Sequence, residues 1–444
     1  MTGLYSNILK YGVLPIADKA MKTSIASSYR EIKKLQRYSP AEINKWQYTR
    51  MTNLIEHAYN HTRYYKNLFK KHRLIPADIK SFEDLRYIPI LTKTDVRKNF
   101  DDLISDNIET IPHKKSATGG STGDPMKYWL DHRSWSMLNA NTIINWEKVG
   151  YNYGDPYIAL GSTSLFVNKS SSLKHQIYYR LKNKIGLNGI NMSDEVCGDY
   201  IAFIRKKKIR FIYGYASSIY LLAKYAIAHN QQLNIQACFP TSEVLKDQFW
   251  ETINQAFACE IMDGYGASDS GINAFSNRKC FFEVGYNCLV RTENADKNGI
   301  GPALITDLFN YAMPFINYKI GDIIQIDAAR NKDYPYNGQV INTVLGRTSD
   351  IIQLENGRTL TGPGFTILFK DLPVEHYRIE KNDVNSIKCI IVKLPEYQQQ
   401  HEDIIRATFY KQMGENAKFS IDYTDVIPLT KSGKREYFKK QPND

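Results

Sequence analysis

Residues 116–125 read Ser-Ala-Thr-Gly-Gly-Ser-Thr-Gly-Asp-Pro, and the strand-like segment Met126–Leu130 follows them. Glycines in such a stretch let backbone N–H groups approach a polyphosphate, and serine and threonine hydroxyls add short hydrogen-bond donors. The stretch does not fit the pattern G-x-x-x-x-G-K-[ST] of the kinase and GTPase phosphate loop. Taken alone, a run of glycine, serine and threonine is typical of an ordinary turn, so its interpretation depends on the rest of the chain.

Apolar strand-like segments alternate with helical ones from this loop to about residue 345. The pattern predicts helices at Ser217–His229 and Phe249–Phe257. The predicted strands are Ile209–Tyr213, Ile261–Met262, Ala303–Leu308, Ile323–Ile326 and Val340–Val344. This mixture indicates an α/β fold of layered sheets and helices with some antiparallel sheet.

The chain before the loop is predicted to be helical over residues 40–70. Met51, Leu54, Ile55 and Ala58 fall at positions i, i+3, i+4 and i+7, which places them in one apolar stripe. The segment Thr92–Asp95 is typical of a helix start.

A second, smaller domain is predicted after residue 346. Asp350–Leu354 and Arg358–Leu360 are predicted to form a hairpin around Glu-Asn-Gly, because Asn-Gly supplies the positive φ angles of a type I′ turn. Strand-like and helix-like segments then alternate to the end of the chain. We therefore expect a large N-terminal domain, residues 1–346, and a small C-terminal α+β domain, residues 347–444.

Composition and charge narrow the class of protein. The chain has 444 residues and a formal net charge of +12, from 58 Lys and Arg against 46 Asp and Glu. It has no apolar run that predicts a membrane span, and no signal-peptide pattern at its start. Its six cysteines lie far apart, which is typical of reduced thiols, so we expect a cytoplasmic protein. No zinc-finger spacing or RNA-recognition signature is present, so a nucleic-acid partner is not expected.

Two motifs in the middle of the chain carry residues suited to a nucleotide. Residues 263–271 read Asp-Gly-Tyr-Gly-Ala-Ser-Asp-Ser-Gly; an aromatic ring between glycines can lie against a purine, and Asp269 is a suitable Mg²⁺ ligand. Residues 318–322 read Tyr-Lys-Ile-Gly-Asp, and the carboxylate of Asp322, after a tight glycine turn, can accept both ribose hydroxyls. Alone, each also fits a plain turn.

Two more motifs lie in the last hundred residues. Gly-Arg-Thr-Ser-Asp occupies residues 346–350, just before the predicted hairpin. Pro-Leu-Thr-Lys-Ser-Gly-Lys occupies residues 428–434, where Lys434 on a Ser-Gly turn can neutralise phosphate and carboxylate charge together. Alone, this second motif is equally typical of a disordered basic tail.

Jointly, the order, residue types and spacing of these motifs match one family across more than 300 residues. The sequence resembles the adenylate-forming superfamily of acyl-CoA synthetases, adenylation domains and luciferases. Within it, the sequence is similar to the phenylacetate-CoA ligase branch, particularly to members associated with capsular polysaccharide biosynthesis. Leu54–Tyr59, Tyr64–Tyr65 and Ile88–Lys93 look like the leader of that branch. The resemblance implies a large N-terminal adenylate-forming domain and a small, mobile C-terminal domain.

The resemblance also implies how ATP would be held. Tyr265 would stack on adenine, with Gly264 and Gly266 giving clearance. Asp322 would grip the ribose hydroxyls, and Arg347 would lie near ribose and phosphate. The adenine pocket would be bordered by Thr241, Ser242 and Glu243. The β- and γ-phosphates would be wrapped by Thr118, Gly119, Gly120, Ser121, Thr122 and Gly123.

The catalytic residues implied by the resemblance are Lys434, the adenylation lysine, and Asp269, which would hold Mg²⁺. Ser349 falls at the interdomain hinge of the family. The acid pocket would include Tyr213, Tyr215 and Ala267. The implied activity is ATP-dependent conversion of a carboxylic acid to acyl-AMP with release of pyrophosphate, then acyl transfer. The acceptor is CoA, a carrier-protein thiol or an amine, and the sequence leaves all three open.

Departures from the family pattern keep an alternative open. The family usually has Glu at the position of Asp269, and Asp or Lys at the hinge position of Ser349. The alternative is a degenerate, non-catalytic nucleotide-binding homologue. A zinc site, as in some relatives of this branch, would use Cys280 and Cys288, but their spacing is poor and no His lies between them, which favours plain structural cysteines.

Overall fold

The structure is a computed structural model. It describes residues 2–118, 126–161, 181–189, 192–277, 281–327, 334–347, 351–353, 359–361, 369, 372–383, 386–413, 418–428 and 436–439. The helices in these ranges are α1 Thr2–Asn7, α2 Leu14–Met21, α3 Ile25–Leu35, α4 Pro40–His61, α5 Arg63–His72, α6 Lys93–Lys98, α7 Phe100–Leu103, α8 His132–Glu147, α9 Asp194–Lys207, α10 Ala216–Ala228, α11 Asp247–Phe257 and α12 Gln399–Met413. A π-helical stretch, Ile8–Val13, joins α1 to α2, and short 3₁₀ turns lie at Pro76–Asp78, Glu83–Tyr87 and Ile108–Thr110.

The strands in the described ranges form several sheets and hairpins. They are β1 His113–Ala117, β2 Lys127–Asp131, β3 Tyr157–Gly161, β4 Lys184–Asn188, β5 Phe211–Tyr215, β6 Ala237–Thr241, β7 Glu260–Ile261, β8 Asp263–Ala267, β9 Ile272–Ser276, β10 Phe282–Val284, β11 Cys288–Thr292, β12 Ile300–Asp307, β13 Tyr318–Gln325, β14 Val340–Ile341, β15 Thr343–Arg347, β16 Ile351–Gln353, β17 Thr359–Thr361, β18 Val374–Asp383, β19 Ser386–Lys393, β20 Lys418–Tyr423 and β21 Phe438–Lys439. Strands β1 and β2 flank the glycine-rich stretch as an antiparallel pair.

The largest sheet is mixed. Its parallel half holds β4, β3, β5, β6 and β8 in that spatial order, with the short β7 beside β6. Its antiparallel half continues from β8 through β9 and β10 to β14. The predicted α/β architecture with some antiparallel sheet is therefore confirmed.

Apolar side chains cover both faces of the parallel strands, as strands buried between layers require. On one face, residues such as Ile158 and Ile212 pack in a cluster with side chains of α9, α10 and α11. The other face is aromatic: Phe211 and Phe239 pack with Trp146 of α8. The Trp146 and Phe239 rings stack with centroids 4.0 Å apart. This packing fixes the strand ends on which the candidate site is built.

A second, antiparallel sheet has the order β11-β12-β13-β15. The segment before the glycine-rich stretch supports β13: the Leu91 N–H donates to the Asn317 carbonyl at 3.2 Å, and the Lys319 N–H donates to the Leu91 carbonyl at 2.9 Å. The Asn317 side-chain amide also donates to the Ile88 carbonyl at 2.8 Å. Residues far apart in sequence thus fix the start of the strand that carries the motif at 318–322.

The helix predicted over residues 40–70 is two helices. Thr62 is extended (φ −127°, ψ 135°), so it ends α4, and its hydroxyl oxygen accepts a hydrogen bond from the Tyr65 N–H at the start of α5. The predicted apolar stripe is confirmed, since all four of its residues are at most 1% exposed. The helix start at Thr92 is confirmed as well, with a reciprocal capping box between Thr92 and Asp95.

Two sequence interpretations are wrong in their local geometry. The motif at 318–322 was expected to be a tight glycine turn, but it lies inside β13, where Gly321 has a φ of 92°. A register shift in the pairing of β12 with β13 spans this glycine, since Pro302 lies opposite Ile323 and Leu304 lies opposite Lys319; such a bulge is how a strand accommodates a positive φ. The motif at 263–271 is strand β8 in its first half and becomes a turn only after Ala267.

The C-terminal part forms a small mixed sheet with the order β20-β19-β18-β21. Its core joins Ile379 and Ile391 to Ile405 and Phe409 of α12. The hairpin strands predicted before it are present as β16 and β17, and the Asn-Gly turn between them lies outside the described residues. The division at residues 346 and 347 stays a prediction. Among the described residues, no helix is long and apolar enough to cross a membrane.

Candidate functional site

Several of the predicted site residues that the structure describes lie at the carboxyl ends of the central parallel strands. Tyr215, the last residue of β5, pairs with Thr241, the last residue of β6, and Thr241 pairs with Gly264 of β8. Crevices at the carboxyl ends of strands are the usual ligand sites of open α/β sheets. A ligand is therefore expected at this edge of the sheet.

Tyr265 and Asp322 meet directly, although 57 positions separate them. The Tyr265 hydroxyl donates a hydrogen bond to Asp322 Oδ2 at 2.9 Å. Asp322 also lies opposite Arg347 in the pairing of β13 with β15. Three residues that the sequence assigned to adenine, ribose and phosphate are therefore neighbours across two sheets.

A second hydrogen bond from a tyrosine to an aspartate joins the turn after β8 to β13. Here the tyrosine lies on β13 and the aspartate lies in the turn after β8. The Tyr318 hydroxyl donates to Asp269 Oδ2 at 2.9 Å. Asp269 is 7% exposed and Tyr318 is fully buried. Burial, followed by the charge of Asp269, raises the pKa of the Tyr318 phenol far above its usual range, so this hydroxyl keeps its proton and remains a donor.

The start of the glycine-rich loop is close to this second contact. The Thr118 N–H donates to the Met126 carbonyl at 2.9 Å, and the Met126 N–H donates to the Thr118 hydroxyl oxygen at 3.0 Å. The Tyr318 hydroxyl lies 3.7 Å from the Met126 sulfur. The base of the loop is therefore adjacent to the partner of Asp269. The rest of the predicted loop, Gly119–Gly123, lies outside the described residues.

The segment predicted to border adenine is a strained turn after β6. The Thr241 hydroxyl donates to the Gly264 carbonyl at 3.2 Å. Ser242 has a φ of 68°, a left-handed conformation that is uncommon for serine. Glu243 accepts a hydrogen bond from the Ser217 N–H at 2.9 Å, so its carboxylate caps the N-terminus of α10. The sequence did not predict this capping role, because the two residues are 26 positions apart.

Gly264 and Gly266 are placed where a side chain would crowd neighbouring strands. A Cβ at Gly264 would lie 3.3 Å from the Phe275 ring, and one at Gly266 would lie 3.1 Å from the Ile272 carbonyl oxygen. Both glycines therefore let β9 pack closely against β8. The Tyr265 side chain, between them, faces the opposite side of the sheet, since side chains alternate along a strand.

Gly271 and Asp307 form a close contact that the motif alone did not reveal. Gly271 has a φ of 68°, and a Cβ there would lie 2.3 Å from the Asp307 carboxyl carbon. Asp307 is 1% exposed and accepts hydrogen bonds from the Ser134 hydroxyl and from the Phe309 N–H, the latter at 3.0 Å. Burial raises the pKa of Asp307 to about 7. The final glycine of the motif is thus required by packing as well as by backbone conformation.

The residues predicted to line the acid pocket lie on two of these strands. Tyr213 packs against Trp146, with ring centroids 5.3 Å apart. Tyr215 is only 1% exposed, so its ring contributes almost no surface to a pocket in this structure. Ala267 ends β8 beside the site. A separate cavity of about 500 Å³ lies at the opposite, amino end of β6 and β7 and contains none of the predicted residues.

The C-terminal sheet contacts the large part of the chain near this edge. The Lys246 Nζ lies 4.7 Å from the centroid of the Tyr437 ring and 5.0 Å from that of Tyr377. The Lys224 Nζ pairs with a Glu375 carboxylate oxygen at 3.0 Å. Tyr437 follows Lys434 by three residues, whereas Lys434 and Ser349 themselves lie outside the described residues.

A magnesium ion would fit the residues present. Mg²⁺ is usually held by one or two carboxylates together with waters and substrate phosphates. Asp269 provides one carboxylate, and its hydrogen bond to Tyr318 holds that carboxylate in place next to the base of the glycine-rich loop. In the ranges that the structure describes, no three His, Cys, Asp or Glu side chains cluster as a metal site. Cys280 is outside those ranges, and Cys288 is buried.

Solved structures define the class of fold. The structure matches 2-hydroxyisobutyryl-CoA ligase in the postadenylation state with 2-HIB-AMP, with a TM-score of 0.67 and 15% identity over 90% of each chain. It also matches an open conformation of that ligase with 2-HIB-AMP and CoA, with a TM-score of 0.59 and 14% identity over 90% of this chain and 92% of the ligase. The chain therefore has the fold of the adenylate-forming ligases.

Sequence comparison relates the chain to one family model and to two proteins of known name. Residues 354–441 match the family model described as the CapK C-terminal domain. The chain is 23% identical to Protein CapK of Staphylococcus aureus over 416 residues, 92% of this chain and 91% of that protein. It is 28% identical over 120 residues to phenylacetate-coenzyme A ligase of Aromatoleum evansii, 26% of each chain. The resemblance to the adenylate-forming superfamily and to its CapK-like branch is confirmed.

Proposed function

We propose that this protein is an ATP-dependent adenylate-forming ligase, which converts a carboxylic acid to acyl-AMP and then transfers the acyl group. The observation that carries the proposal is the contact between Tyr265 and Asp322 at 2.9 Å, with Arg347 opposite Asp322. A ring, a carboxylate and a guanidinium-bearing residue suited to adenine, ribose and phosphate are thus neighbours where the two sheets meet. ATP binding there would use residues from three separate parts of the sequence.

In the first step, an oxygen of the substrate carboxylate attacks the α-phosphorus of ATP. The bond from that phosphorus to the bridging oxygen breaks, and pyrophosphate leaves with the bond electrons. Asp322 would hold the ribose, and Thr118 with the loop that follows would bind the leaving phosphates. Mg²⁺ bound at Asp269 would offset the negative charge of the phosphates. Lys434 would donate hydrogen bonds to the carboxylate and the transferring phosphoryl group.

The second step needs Lys434 to withdraw and an acceptor to enter. Rotation of the small domain about Ser349 would achieve this, and such closure would also exclude water from a hydrolysable intermediate. The contact of Lys246 with Tyr437 supports the proposal, because it places the strand just after Lys434 beside the segment that borders the proposed adenine pocket. The matched ligase is also known in postadenylation and open states.

CoA is the acceptor that the comparisons favour. Two of the proteins that the chain is similar to are CoA ligases, one for phenylacetate and one for 2-hydroxyisobutyrate. A carrier-protein thiol or an amine remains as the second choice, since both are nucleophiles able to displace AMP. The relationship to Protein CapK supports a role in surface or capsular polysaccharide biosynthesis, and we place the reaction in the cytoplasm, where ATP is available.

The experiment that tests the proposal is ATP–pyrophosphate exchange with the full chain and a panel of aryl, fatty, hydroxy and amino acids. We expect exchange that depends on one class of acid, and AMP release with thioester formation when CoA is added. If ATP binds but no acid supports exchange, the protein is instead a degenerate nucleotide-binding homologue. If ATP does not bind, both interpretations fail.

Tyr318 acts, in this proposal, as a positioning residue for Asp269. Replacing Tyr318 by Phe removes the only hydroxyl that the structure describes as donating to this carboxylate. We expect the Mg²⁺ concentration for half-maximal exchange to rise about ten-fold, the usual effect of losing a partner of a metal ligand. Titration of Mg²⁺ in the exchange assay measures it.

Tyr65→Phe is the matched control for the Tyr318→Phe variant. Tyr65 is fully buried, and its hydroxyl donates to the Pro314 carbonyl at 3.2 Å and accepts from the Ile316 N–H at 2.9 Å, so its bonds are to the backbone and not to the Asp269 carboxylate. We expect this control to lose stability in urea without a change in the Mg²⁺ requirement. An equal Mg²⁺ shift in both variants would mean that Tyr318 affects only the stability of the fold.

A further inference from the structure

The N-terminal helical segment, residues 2–21, exposes a row of large apolar side chains. Leu4 and Ile16 are each 72% exposed, Tyr11 is 60% exposed and Ile8 is 54% exposed. The opposite side of the segment is buried in the protein through Leu9, Leu14 and Asp18. Single exposed apolar residues are ordinary, but a continuous row on one helical segment marks an interaction surface.

The π-helical stretch helps to keep this row on one side. Leu4, Ile8 and Ile16 are spaced in multiples of four residues, and in a regular α-helix each step of four rotates the side chain by about 40°. Within Ile8–Val13 the turn is wider, as the hydrogen bond from the Leu14 N–H to the Leu9 carbonyl shows. The wider turn offsets part of the rotation, so Ile16 remains exposed with Leu4.

The segment that carries the row, together with the helix α3 that follows it, is rich in positive charge. The first 40 residues hold seven basic and two acidic residues, a net charge of +5 out of +12 for the whole chain. Both acidic groups are turned inward: Asp18 accepts from the Thr23 hydroxyl and the Ala26 N–H at 2.6 and 2.7 Å, and Glu31 pairs with Arg133. The exposed basic residues of this region are Lys19, Lys22, Arg30, Lys34 and Arg37.

We propose that residues 2–21 form an interfacial helix that docks the protein on an anionic lipid bilayer. An apolar helix face with basic flanks inserts into the boundary between headgroups and acyl chains, and its cations bind anionic headgroups. Tyr11 suits the headgroup level, where amphipathic rings are favoured. A partner protein with a complementary apolar groove would not require the surrounding cations, so the charge favours lipid. The segment lies on the bilayer and does not span it.

The test is flotation of the full chain with vesicles of phosphatidylcholine, with or without phosphatidylglycerol. We expect binding only when phosphatidylglycerol is present, and weaker binding at high salt because exposed charges are screened. The double variant Ile8→Ser with Ile16→Ser removes apolar surface from the row, and we expect its vesicle affinity to fall about ten-fold or more. Lys19→Gln and Lys34→Gln are each expected to lower affinity roughly five-fold.

The matched control is the double variant Ile75→Ser with Ile404→Ser. These isoleucines are 54% and 47% exposed but lie outside the N-terminal segment. We expect the control to bind vesicles as the unmodified protein does. An equal loss of vesicle binding in the control, or no binding to phosphatidylglycerol at low salt, overturns the proposal.

Two further measurements distinguish lipid binding from enzyme activity and from self-association. Acid-dependent exchange without vesicles is expected to be unchanged in the Ile8→Ser, Ile16→Ser variant, so failure of lipid binding and failure of the proposed enzyme activity are distinguishable. Light scattering without vesicles reports self-association. If the unmodified protein self-associates and this variant does not, the face binds a second copy of the chain, and the lipid proposal is wrong.

Discussion

Replacement of Asp322 by Ala is expected to lower kcat/KM for ATP by about a hundred-fold or more. In the proposed complex this carboxylate accepts hydrogen bonds from both ribose hydroxyls, and a hydrogen bond to a charged group contributes about 1.5–3 kcal/mol. Loss of two such bonds corresponds to at least two factors of ten, at about 1.4 kcal/mol for each factor. Initial rates of pyrophosphate exchange over a range of ATP concentrations measure the effect.

Tyr265→Phe is the informative partner variant for Asp322→Ala. It keeps the ring proposed to stack on adenine but removes the hydroxyl that occupies Asp322 Oδ2. Because that carboxylate oxygen becomes available to the ribose, we expect the KM for ATP to fall a few-fold. If Asp322→Ala leaves kcat/KM for ATP unchanged while the variant folds normally, the carboxylate does not hold the ribose. The proposed nucleotide site would then lie elsewhere.

Lys434→Ala is expected to reduce acid-dependent pyrophosphate exchange by about a hundred-fold or more. A positioned donor that stabilises charge developing in the transition state contributes that much. Transfer from pre-formed acyl-AMP to CoA should change far less, because the lysine is proposed to withdraw before this step. Measuring the two half-reactions separately is therefore essential, since a folding defect would lower both.

Lys431→Ala is the control for position and charge. It removes a lysine from the same seven-residue motif but keeps Lys434, which follows Ser-Gly in the sequence. We expect exchange close to that of the unmodified chain. An equal loss in both variants would show that the segment contributes only general positive charge, and unchanged exchange in Lys434→Ala would remove this lysine from the mechanism.

The sequence predicted the fold correctly where a short pattern of residue types determines the local structure. The apolar stripe in α4 identified residues that are fully buried, and the capping box at Thr92 is present. Boundaries were less predictable, because they depend on single residues such as Thr62, whose extended backbone divides one predicted helix into two. The motif ending in Asp322 was expected to be a turn, but pairing of β13 with its neighbours holds Gly321 in a strand.

The contacts within the candidate site could not be predicted from short sequence patterns, because they join residues far apart in the chain. Tyr318 belonged to a recognised motif, yet nothing nearby in sequence shows that its hydroxyl bonds to Asp269, which is 49 positions away. Gly271 could be read as a turn glycine, but its proximity to Asp307 depends on two sheets meeting. Such pairings follow from tertiary packing, whereas the motifs themselves reflect only residue type and spacing.

The hydrogen bonds between Leu91 and β13 determine how far the chain can be shortened from its N-terminal side. A shortened version that begins at the glycine-rich loop would keep every predicted site residue but would lose the backbone partner of Asn317 and Lys319. The exposed strand edge would begin next to Tyr318, and edges of that kind invite pairing with other molecules. Leu91 therefore supports the strand that carries part of the candidate site, and we expect a chain trimmed of this support to aggregate.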